Sequence, residues 1–412
     1  MLQIAAAFSM CILAVSGELC VDKLEWSTAN GQILVYHCCS RESIIMDLKL
    51  NILLLLKHNF NAIQIPYSLE MVRANPYTKR IDCEFNPDLC GTTSIKMLDI
   101  LINRAAERGL LVVLSNNQFW GVESLNPPPL WYDSQYPERI VISIWKTLIH
   151  RYRNQWNVFA IDLKNEPHGK PEVTWGSTWG NSSRKTDWNK AAERMINKLS
   201  DFKGLFLVDG IDWGLDLAGA GEYPITASCS SLNNRVVYTA HCYGPQIHDQ
   251  DEAKAKFGSK PDYPNNLDTL YMERFGFLAE KGLPVMIGEW AGATDPSSNE
   301  AKWIGWIIDW LRKHCITNFI YWSLDPQAPF TAGLFDQYWI TPNPRTLEIL
   351  NRLQPNPTKF EARNGKICIT KGAFPERHCA SPWEGKDESE TDKTNQTDVI
   401  GIVISTPGKE HR

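Results

Sequence analysis

The sequence predicts a (β/α)8 TIM barrel, an α/β fold in which eight parallel strands alternate with helices. Three observations predict it. Short apolar runs alternate with helix-length segments, the runs are apolar throughout, and seven of them spread over about 300 of the 412 residues. Strands that are buried on both faces have this continuous apolar composition. Repeated β-then-α order implies parallel strands with right-handed crossovers, which favours the barrel.

The seven strand candidates are short and bounded by polar segments. In chain order they are Ala62–Ile65, Leu110–Leu114, Val158–Leu163, Leu205–Val208, Val236–Ala240, Val285–Ile287 and Phe319–Tyr321. An eighth strand would have to come first, around Gln32–His37, where the pattern is weakest. A doubly wound open sheet is the alternative fold. No glycine-rich phosphate loop follows the early strands, although nucleotide binders of that class require one.

Segments with helical patterns lie between the strand candidates. They are Ser94–Arg108, Pro137–Tyr152, Trp188–Leu199, Leu267–Lys281 and Asn299–Lys313. Gly109 and Gly282 directly follow two of these segments. Glycine readily adopts the left-handed conformation that ends a helix, so we expect both helices to stop there.

The two ends of the chain differ from this central region. Residues Ile4–Val15 form one short apolar run followed by small residues, which is typical of a secretory signal peptide and too short to span a membrane. We expect residues 1–17 to be the signal peptide and residues 18–360 to form one barrel domain. Residues 361–412, which include GKDESETDKTNQTD, are expected to form a polar, disordered tail.

Cysteine usage agrees with secretion. The chain has 11 Cys, and removal of Cys11 with the signal peptide leaves an even number. Cys83 with Cys90, and Cys368 with Cys379, bracket short loops that disulfides could close in an oxidising compartment. A zinc site is the alternative, but the chain has no CxxC pair with ligand spacing.

Composition gives further bounds on function. The net charge is −5, from 42 Lys+Arg against 47 Asp+Glu, and gives no electrostatic reason to expect nucleic acid. Two sequons compatible with glycosylation stand at Asn181 and Asn395. The 16 Trp could supply flat apolar surfaces for a ligand, especially those on loops after strands: Trp120, Trp131, Trp175, Trp179 and Trp213. We expect a secreted, extracellular monomer with no nucleic-acid or membrane partner.

Two glutamates directly follow buried strands. Glu166 ends the run FAIDLKNE, and Glu289 ends PVMIGE. A carboxylate at the end of a core strand is costly unless it is paired or used chemically, so the alternatives are an ion pair and an active site. Barrel active sites lie at the carboxyl ends of the strands. Cleavage of a glycosidic bond needs two carboxyl groups, one to protonate the leaving oxygen and one at the anomeric carbon.

Four ordered motifs resemble glycoside hydrolase family 5, the cellulase family. They are NEPHG at 165–169, VYTAHCYGP at 237–245, IGEW at 287–290 and YWSLDP at 321–326, and the similarity runs from about Asn59 to Phe360. Members of this family are retaining β-glycosidases on a (β/α)8 barrel. The resemblance therefore implies hydrolysis of a β-linked polysaccharide, and two carboxylates with water suffice for it without a metal or organic cofactor.

The matching motifs imply that Glu166 is the acid/base and that Glu289 is the nucleophile. Asn165 would hydrogen-bond the 2-hydroxyl of the sugar being cleaved. Three ring side chains would line the sugar site, namely His241, Tyr243 against the nucleophile, and Trp322 as a stacking platform. On residue type alone, a hydrogen-bonded core histidine and a packed core tryptophan remain alternatives for His241 and Trp322.

The sequence departs from the family pattern at several strand ends. Gln64 stands where the family usually carries an arginine that keeps the nucleophile ionised, and glutamine supplies hydrogen bonds without charge. Ser115 and Asn117 replace the usual Asp and His, and Cys242 replaces an Asp. Gln64 and Asn117 are still expected to bind substrate.

Two functions follow from these residues. The first is a secreted endo-β-1,4-glucanase that acts on β-glucan by a retaining mechanism. The second is a catalytically impaired, glycosidase-like protein that binds carbohydrate. A structural or adhesive protein that reuses the fold is a third reading, but it leaves the glutamate pair unexplained.

Overall fold

The structure is a computed structural model, and all structural statements concern the residues that it describes. These are residues 19–21, 32–35, 54–78, 81–121, 127–169, 176–245, 260–292, 297–325, 333–336, 340–354, 360–364 and 366–369. The expected signal peptide at 1–17, the sequon at Asn395 and the chain after residue 369 lie outside them.

Eight parallel strands close into a barrel, which confirms the predicted fold. In chain order the strands are β1 Leu19–Val21, β2 Gln32–Val35, β3 Ala62–Ser68, β4 Leu111–Gln118, β5 Val158–Asp162, β6 Leu205–Asp209, β7 Val236–Tyr243, β8 Val285–Ala291, β9 Phe319–Tyr321, β10 Phe360–Arg363 and β11 Lys366–Ile369. Strands β2 to β9 form the barrel, and β2 pairs in parallel with both β3 and β9. All seven strand candidates are confirmed, and the weak eighth candidate is β2.

Helices connect successive barrel strands. They are α1 Leu69–Ala74, α2 Ser94–Ala106, α3 Glu138–Arg151, α4 Trp188–Lys198, α5 Ser230–Asn233, α6 Leu267–Tyr271, α7 Phe277–Glu280, α8 Asn299–Lys313 and α9 Pro344–Leu353. The five predicted helices are all present, and a π-helical turn at Met272–Gly276 joins α6 to α7. Gly109 and Gly282 have φ angles of 75° and 69°, which confirms both stop signals.

The inward-facing side chains of the strands form an apolar part and a polar part of the barrel interior. Near the amino ends, inward residues such as Ala62, Leu111 and Val237 pack together inside the barrel. Their outward neighbours pack against the helices. Toward the carboxyl ends the inward positions become polar, although they remain buried: Ser115, Asp162, Lys164, Asp209, Thr239 and His241. Polar groups are therefore concentrated at the carboxyl end.

A small antiparallel sheet, β1–β11–β10, covers the amino end of the barrel. Phe360 and Ile367 from its hairpin pack into the apolar interior cluster. The Phe360 carbonyl lies against Gly109, where an added Cβ would be 2.7 Å away. The predicted start of the tail, at residue 361, is therefore too early in the chain. Apolar side chains of this hairpin, up to at least Ile367, still pack against the end of the barrel.

Cys83 and Cys90 form a disulfide, which confirms that pairing. The Cys368–Cys379 pairing stays a prediction, because Cys379 lies outside the described residues. Cys242 is a buried thiol. Within the described part of the chain, no helix has the length and apolar character needed to cross a membrane.

Candidate active site

Glu166 and Glu289 lie together at the carboxyl end of the barrel. Glu289 lies within β8 and is 5% exposed, whereas Glu166 follows β5 and is partly exposed. One carboxylate oxygen from each glutamate and one ring nitrogen of His241 all lie within 4.8 Å of one another. The structure therefore brings together the two carboxylates that the sequence singled out.

His241 lies between three carboxylates. Its Nδ1 is 3.1 Å from Glu166 Oε1 and 3.9 Å from Glu289 Oε2, and its Nε2 is 3.2 Å from Asp209 Oδ2. Burial alone lowers the pKa of His241, but the charges of Asp209 and Glu289 and the hydrogen bonds to Asp209 and Glu166 raise it well above 6.5. These carboxylates therefore favour the protonated ring, which can donate from both nitrogens.

Glu289 is held by a tyrosine and by this imidazolium. The Tyr243 hydroxyl donates a hydrogen bond to Glu289 Oε1. Burial and the charge of Glu166 raise the pKa of Glu289 to about 8, while His241 and the Tyr243 hydrogen bond act in the opposite direction. Ionisation of Glu289 thus depends on how well the Tyr243 hydrogen bond and the charge of His241 offset its burial.

Asp209 contacts both Glu166 and His241, and it was not among the site residues predicted from the sequence. Its Oδ2 accepts a hydrogen bond of 2.9 Å from the Glu166 backbone N–H, and its Oδ1 accepts one from the Thr239 hydroxyl. The signal was available, because Asp209 follows the apolar run LFLV directly, and the two glutamates were singled out for following apolar runs.

Glu166 has a left-handed backbone, with φ of 52°. Such a conformation costs a non-glycine residue about 1–3 kcal/mol and persists only where the surroundings enforce it. Here the preceding carbonyl, of Asn165, accepts a hydrogen bond from the Lys164 ammonium, and the Glu166 carbonyl contacts His168 Nδ1 at 2.8 Å. Together with Asp209 on the N–H, these contacts determine the direction of the Glu166 side chain.

The polar interior below the glutamates contains Asp162 and Lys164. Ser115 donates a 2.6 Å hydrogen bond to Asp162, and burial followed by the charge of Asp209 raises the pKa of Asp162 well above its usual value. Burial lowers the pKa of the Lys164 ammonium to about 8, although the carboxylates of Glu166, Asp162 and Asp209 act in the opposite direction.

The other predicted site residues lie at the same end of the barrel. Asn165 is buried, and its N–H donates to the Asn116 carbonyl at 3.0 Å. Gln64 is buried on β3, and it lies on the same inward face of the strand as Ala62. Two partly buried residues, Asn117 on β4 and Trp322 after β9, complete the set. Their contacts with a substrate stay predictions.

The tryptophans on loops have different roles. Trp131 is fully buried and donates a hydrogen bond to Glu138, so it is a core residue. Trp120 packs on Tyr136. Trp213 is 41% exposed and stacks on His168, with ring centroids 3.6 Å apart. Trp175 lies outside the described residues. Of the described loop tryptophans, Trp213 offers the most exposed flat surface near Glu166.

Residues 48–328 match the cellulase family, glycosyl hydrolase family 5. An endoglucanase of Paenibacillus polymyxa is 34% identical over 312 residues, which cover 72% of this chain and 74% of that protein. The major extracellular endoglucanase of Xanthomonas campestris is 28% identical over 312 residues, covering 71% of this chain and 60% of that protein.

Solved structures show the same similarity. An endocellulase from the archaeon Pyrococcus horikoshii superposes with a TM-score of 0.71 at 28% identity, covering 79% of this chain and 92% of that one. The catalytic domain of the major Xanthomonas campestris endoglucanase superposes with a TM-score of 0.71 at 26% identity, covering 79% and 94% of the two chains. A variant of the Pyrococcus horikoshii endocellulase is also known in complex with cellotetraose.

Proposed function

We propose that this protein is a secreted, retaining endo-β-1,4-glucanase, because the chain belongs to the cellulase family, glycosyl hydrolase family 5, and is a glycosidase. The observation that carries the proposal is the Glu166–Glu289 pair, with carboxylate oxygens within 4.8 Å of each other at the carboxyl end of the barrel. Retaining glycosidases separate their carboxyl groups by about 5–5.5 Å, and inverting enzymes by about 6.5–9.5 Å. The short separation supports retention.

In the first chemical step, Glu289 attacks the anomeric carbon while Glu166 protonates the glycosidic oxygen. The bond to the leaving sugar breaks, and a covalent glycosyl–Glu289 ester forms. In the second step Glu166, now ionised, removes a proton from water, which attacks the same carbon and releases Glu289. Two inversions at one carbon give net retention.

His241 and Tyr243 prepare Glu289 for attack. Tyr243 donates a hydrogen bond to Glu289 Oε1, and the positive charge of the His241 ring lies beside Oε2, so both favour the ionised form of the carboxylate. Asp209 anchors the Glu166 backbone and orients the His241 ring. The catalytic roles thus fall on Glu166 and Glu289, with three positioning residues around them.

A β-1,4-glucan is the proposed substrate. The relatives named above are endoglucanases, and a related endocellulase binds cellotetraose. Trp322 would stack under the sugar at the cleavage point, Asn165 would bind its 2-hydroxyl, and Gln64 and Asn117 would contact neighbouring hydroxyls. The exposed face of Trp213 suits a further glucose unit.

Secretion is part of the proposal. The Cys83–Cys90 disulfide supports an oxidising compartment, and one relative is described as extracellular. The mass of the protein recovered from the medium tests it: loss of the first 17 residues is expected, and recovery of the uncleaved chain only inside cells contradicts it.

Reducing-sugar release from carboxymethylcellulose, mixed-linkage glucan, mannan and xylan tests the activity. We expect hydrolysis of the first two, and Glu289→Gln and Glu166→Gln should each lower kcat by at least about 100-fold because each removes one catalytic carboxyl. Proton NMR of the first products should show the β-anomer. An initial α-anomer excludes retention, and activity that survives Glu289→Gln excludes this site.

The raised pKa of Glu289 favours a second candidate, a glycosidase-like protein that binds carbohydrate without turnover. A protonated carboxyl does not attack, and Gln64 brings no charge to offset the burial of Glu289. Saturable binding of β-glucan without product, in the wild type and in Glu289→Gln alike, would identify this function.

A further inference from the structure

Lys164 is a buried cation directly beside the catalytic sequence. It is 0% exposed, two residues beyond the end of β5, and the inward alternation places it above Asp162. Lysine is almost never fully buried unless it is paired, because removing the ammonium from water is costly. A specific use of its charge must offset that cost.

The ammonium and Asp209 hold the same peptide unit from opposite ends. Lys164 Nζ donates to the Asn165 carbonyl, and Asp209 Oδ2 accepts from the Glu166 N–H at 2.9 Å. The carbonyl and the N–H belong to one peptide bond, so a cation lies at its negative end and an anion at its positive end. Charge-assisted hydrogen bonds of this kind are roughly twice as strong as neutral ones. We call this arrangement the peptide clamp.

The clamped peptide is the one that sets the Glu166 conformation. Glu166 has φ of 52°, which a glutamate does not adopt without enforcement. Relaxation toward an ordinary φ would rotate the side chain away from the position beside Glu289 and His241. A general acid must be placed within hydrogen-bonding distance of the atom that it protonates, so a small displacement removes most of its contribution.

Other charged groups face the clamp from the neighbouring strands. Asp162 on β5, Asp209 on β6 and the Glu166 carboxylate attract the Lys164 ammonium. His241 on β7 contacts Asp209 from the other side, and Glu289 on β8 lies beyond His241. The clamp is therefore part of one continuous network that reaches from the interior lysine to both glutamates.

We propose that Lys164 is a positioning residue for acid catalysis, because its buried ammonium and Asp209 clamp the Asn165–Glu166 peptide in the left-handed conformation that directs Glu166 to the leaving oxygen. The inference rests on the proposed function, since it assigns Glu166 the acid role. Lys164 itself touches no reacting atom.

Leaving-group dependence tests the clamp. Cello-oligosaccharides need a proton from Glu166 to leave, whereas an aryl β-cellobioside that releases dinitrophenolate does not. Lys164→Met should lower kcat on cello-oligosaccharides by about 100-fold. It should lower the rate constant for formation of the glycosyl-enzyme from the aryl substrate, measured as the pre-steady-state burst of dinitrophenolate, by less than about fivefold. Lys164→Gln retains an N–H donor at reduced length and should lose less than Lys164→Met on the first substrate.

Controls separate the clamp from folding and from the proposed function. Lys198→Met, on the exposed face of α4, should leave both rates unchanged. Unchanged rates would overturn the proposal. Equal losses on both substrates, or failure of both Lys164 variants to fold, would also overturn it and would assign Lys164 to the stability of the barrel. Absence of hydrolysis by the wild type on either substrate would instead reject the proposed function.

Discussion

In the proposed mechanism Glu289 is the nucleophile, so its protonation state determines the pH range in which the site is active. The nucleophile attacks only when ionised, and burial raises its pKa to about 8. A raised carboxyl pKa means that the ionised fraction falls as the pH drops below that value. The acidic limb of kcat/KM should therefore lie well above the range of an ordinary glutamate, which ionises near pH 4.5.

At Gln64 a single substitution tests this electrostatic account. Gln64→Arg adds a positive charge inside the barrel, so it should lower the pKa of Glu289, move the acidic limb down by about one pH unit and raise turnover at pH 6. Gln64→Met, which has similar length and no charge, should leave the limb in place. A pH–rate profile that Gln64→Arg does not shift would refute the account.

At the scale of elements, the turn between β6 and β7 positions His241. Gly214 has φ of +83°, and a Cβ there would lie 2.5 Å from His241 Cγ. Its carbonyl accepts a hydrogen bond from the His241 N–H at 3.1 Å. The backbone of this turn therefore packs directly on the ring that bridges the glutamates.

Gly214→Ala should displace the His241 ring and lower kcat by about 100-fold, since small displacements of catalytic groups have effects of this size. Gly91→Ala is the matched control, because Gly91 also has a left-handed φ, of +66°, but has nothing within 4 Å of an added Cβ. Both substitutions place an alanine at a left-handed φ, which destabilises the fold, so the midpoint of thermal unfolding should fall in both variants. Only Gly214→Ala should lose activity. Equal kcat values in the two variants would contradict this role.

At the scale of the whole molecule, the β10–β11 hairpin closes the end of the barrel opposite the glutamates. Ile367 is 5% exposed and packs with Phe360 on the interior apolar cluster. The catalytic end carries charge and strain, so stability must come from apolar burial elsewhere, and this closure contributes to it.

Ile367→Ala should lower the free energy of unfolding by about 2–5 kcal/mol, the usual cost of truncating a buried Ile. Ile340→Ala, at a residue that is 57% exposed, should change it by less than about 0.5 kcal/mol. Urea unfolding monitored by tryptophan fluorescence measures both. Similar values for the two variants would show that the hairpin does not cover the barrel core.

Local sequence patterns were sufficient to predict the barrel and its two central carboxylates. Strands buried on both faces are continuous apolar runs, and a glutamate that ends such a run stands out, so β3 to β9, Glu166 and Glu289 could all be located from local pattern. Asp209 carries the same signal and could have been found in the same way.

The contacts that join distant strands could be identified only in the folded protein. The closure of β2 on β9, the hairpin at the amino end and the packing of Trp131 in the core depend on pairings that no local pattern encodes. The peptide clamp is the clearest case, because Lys164 and Asp209 are far apart in the chain and meet on one peptide bond. Their effect on Glu166 arises from charges brought together inside the barrel, and a linear sequence does not contain those distances.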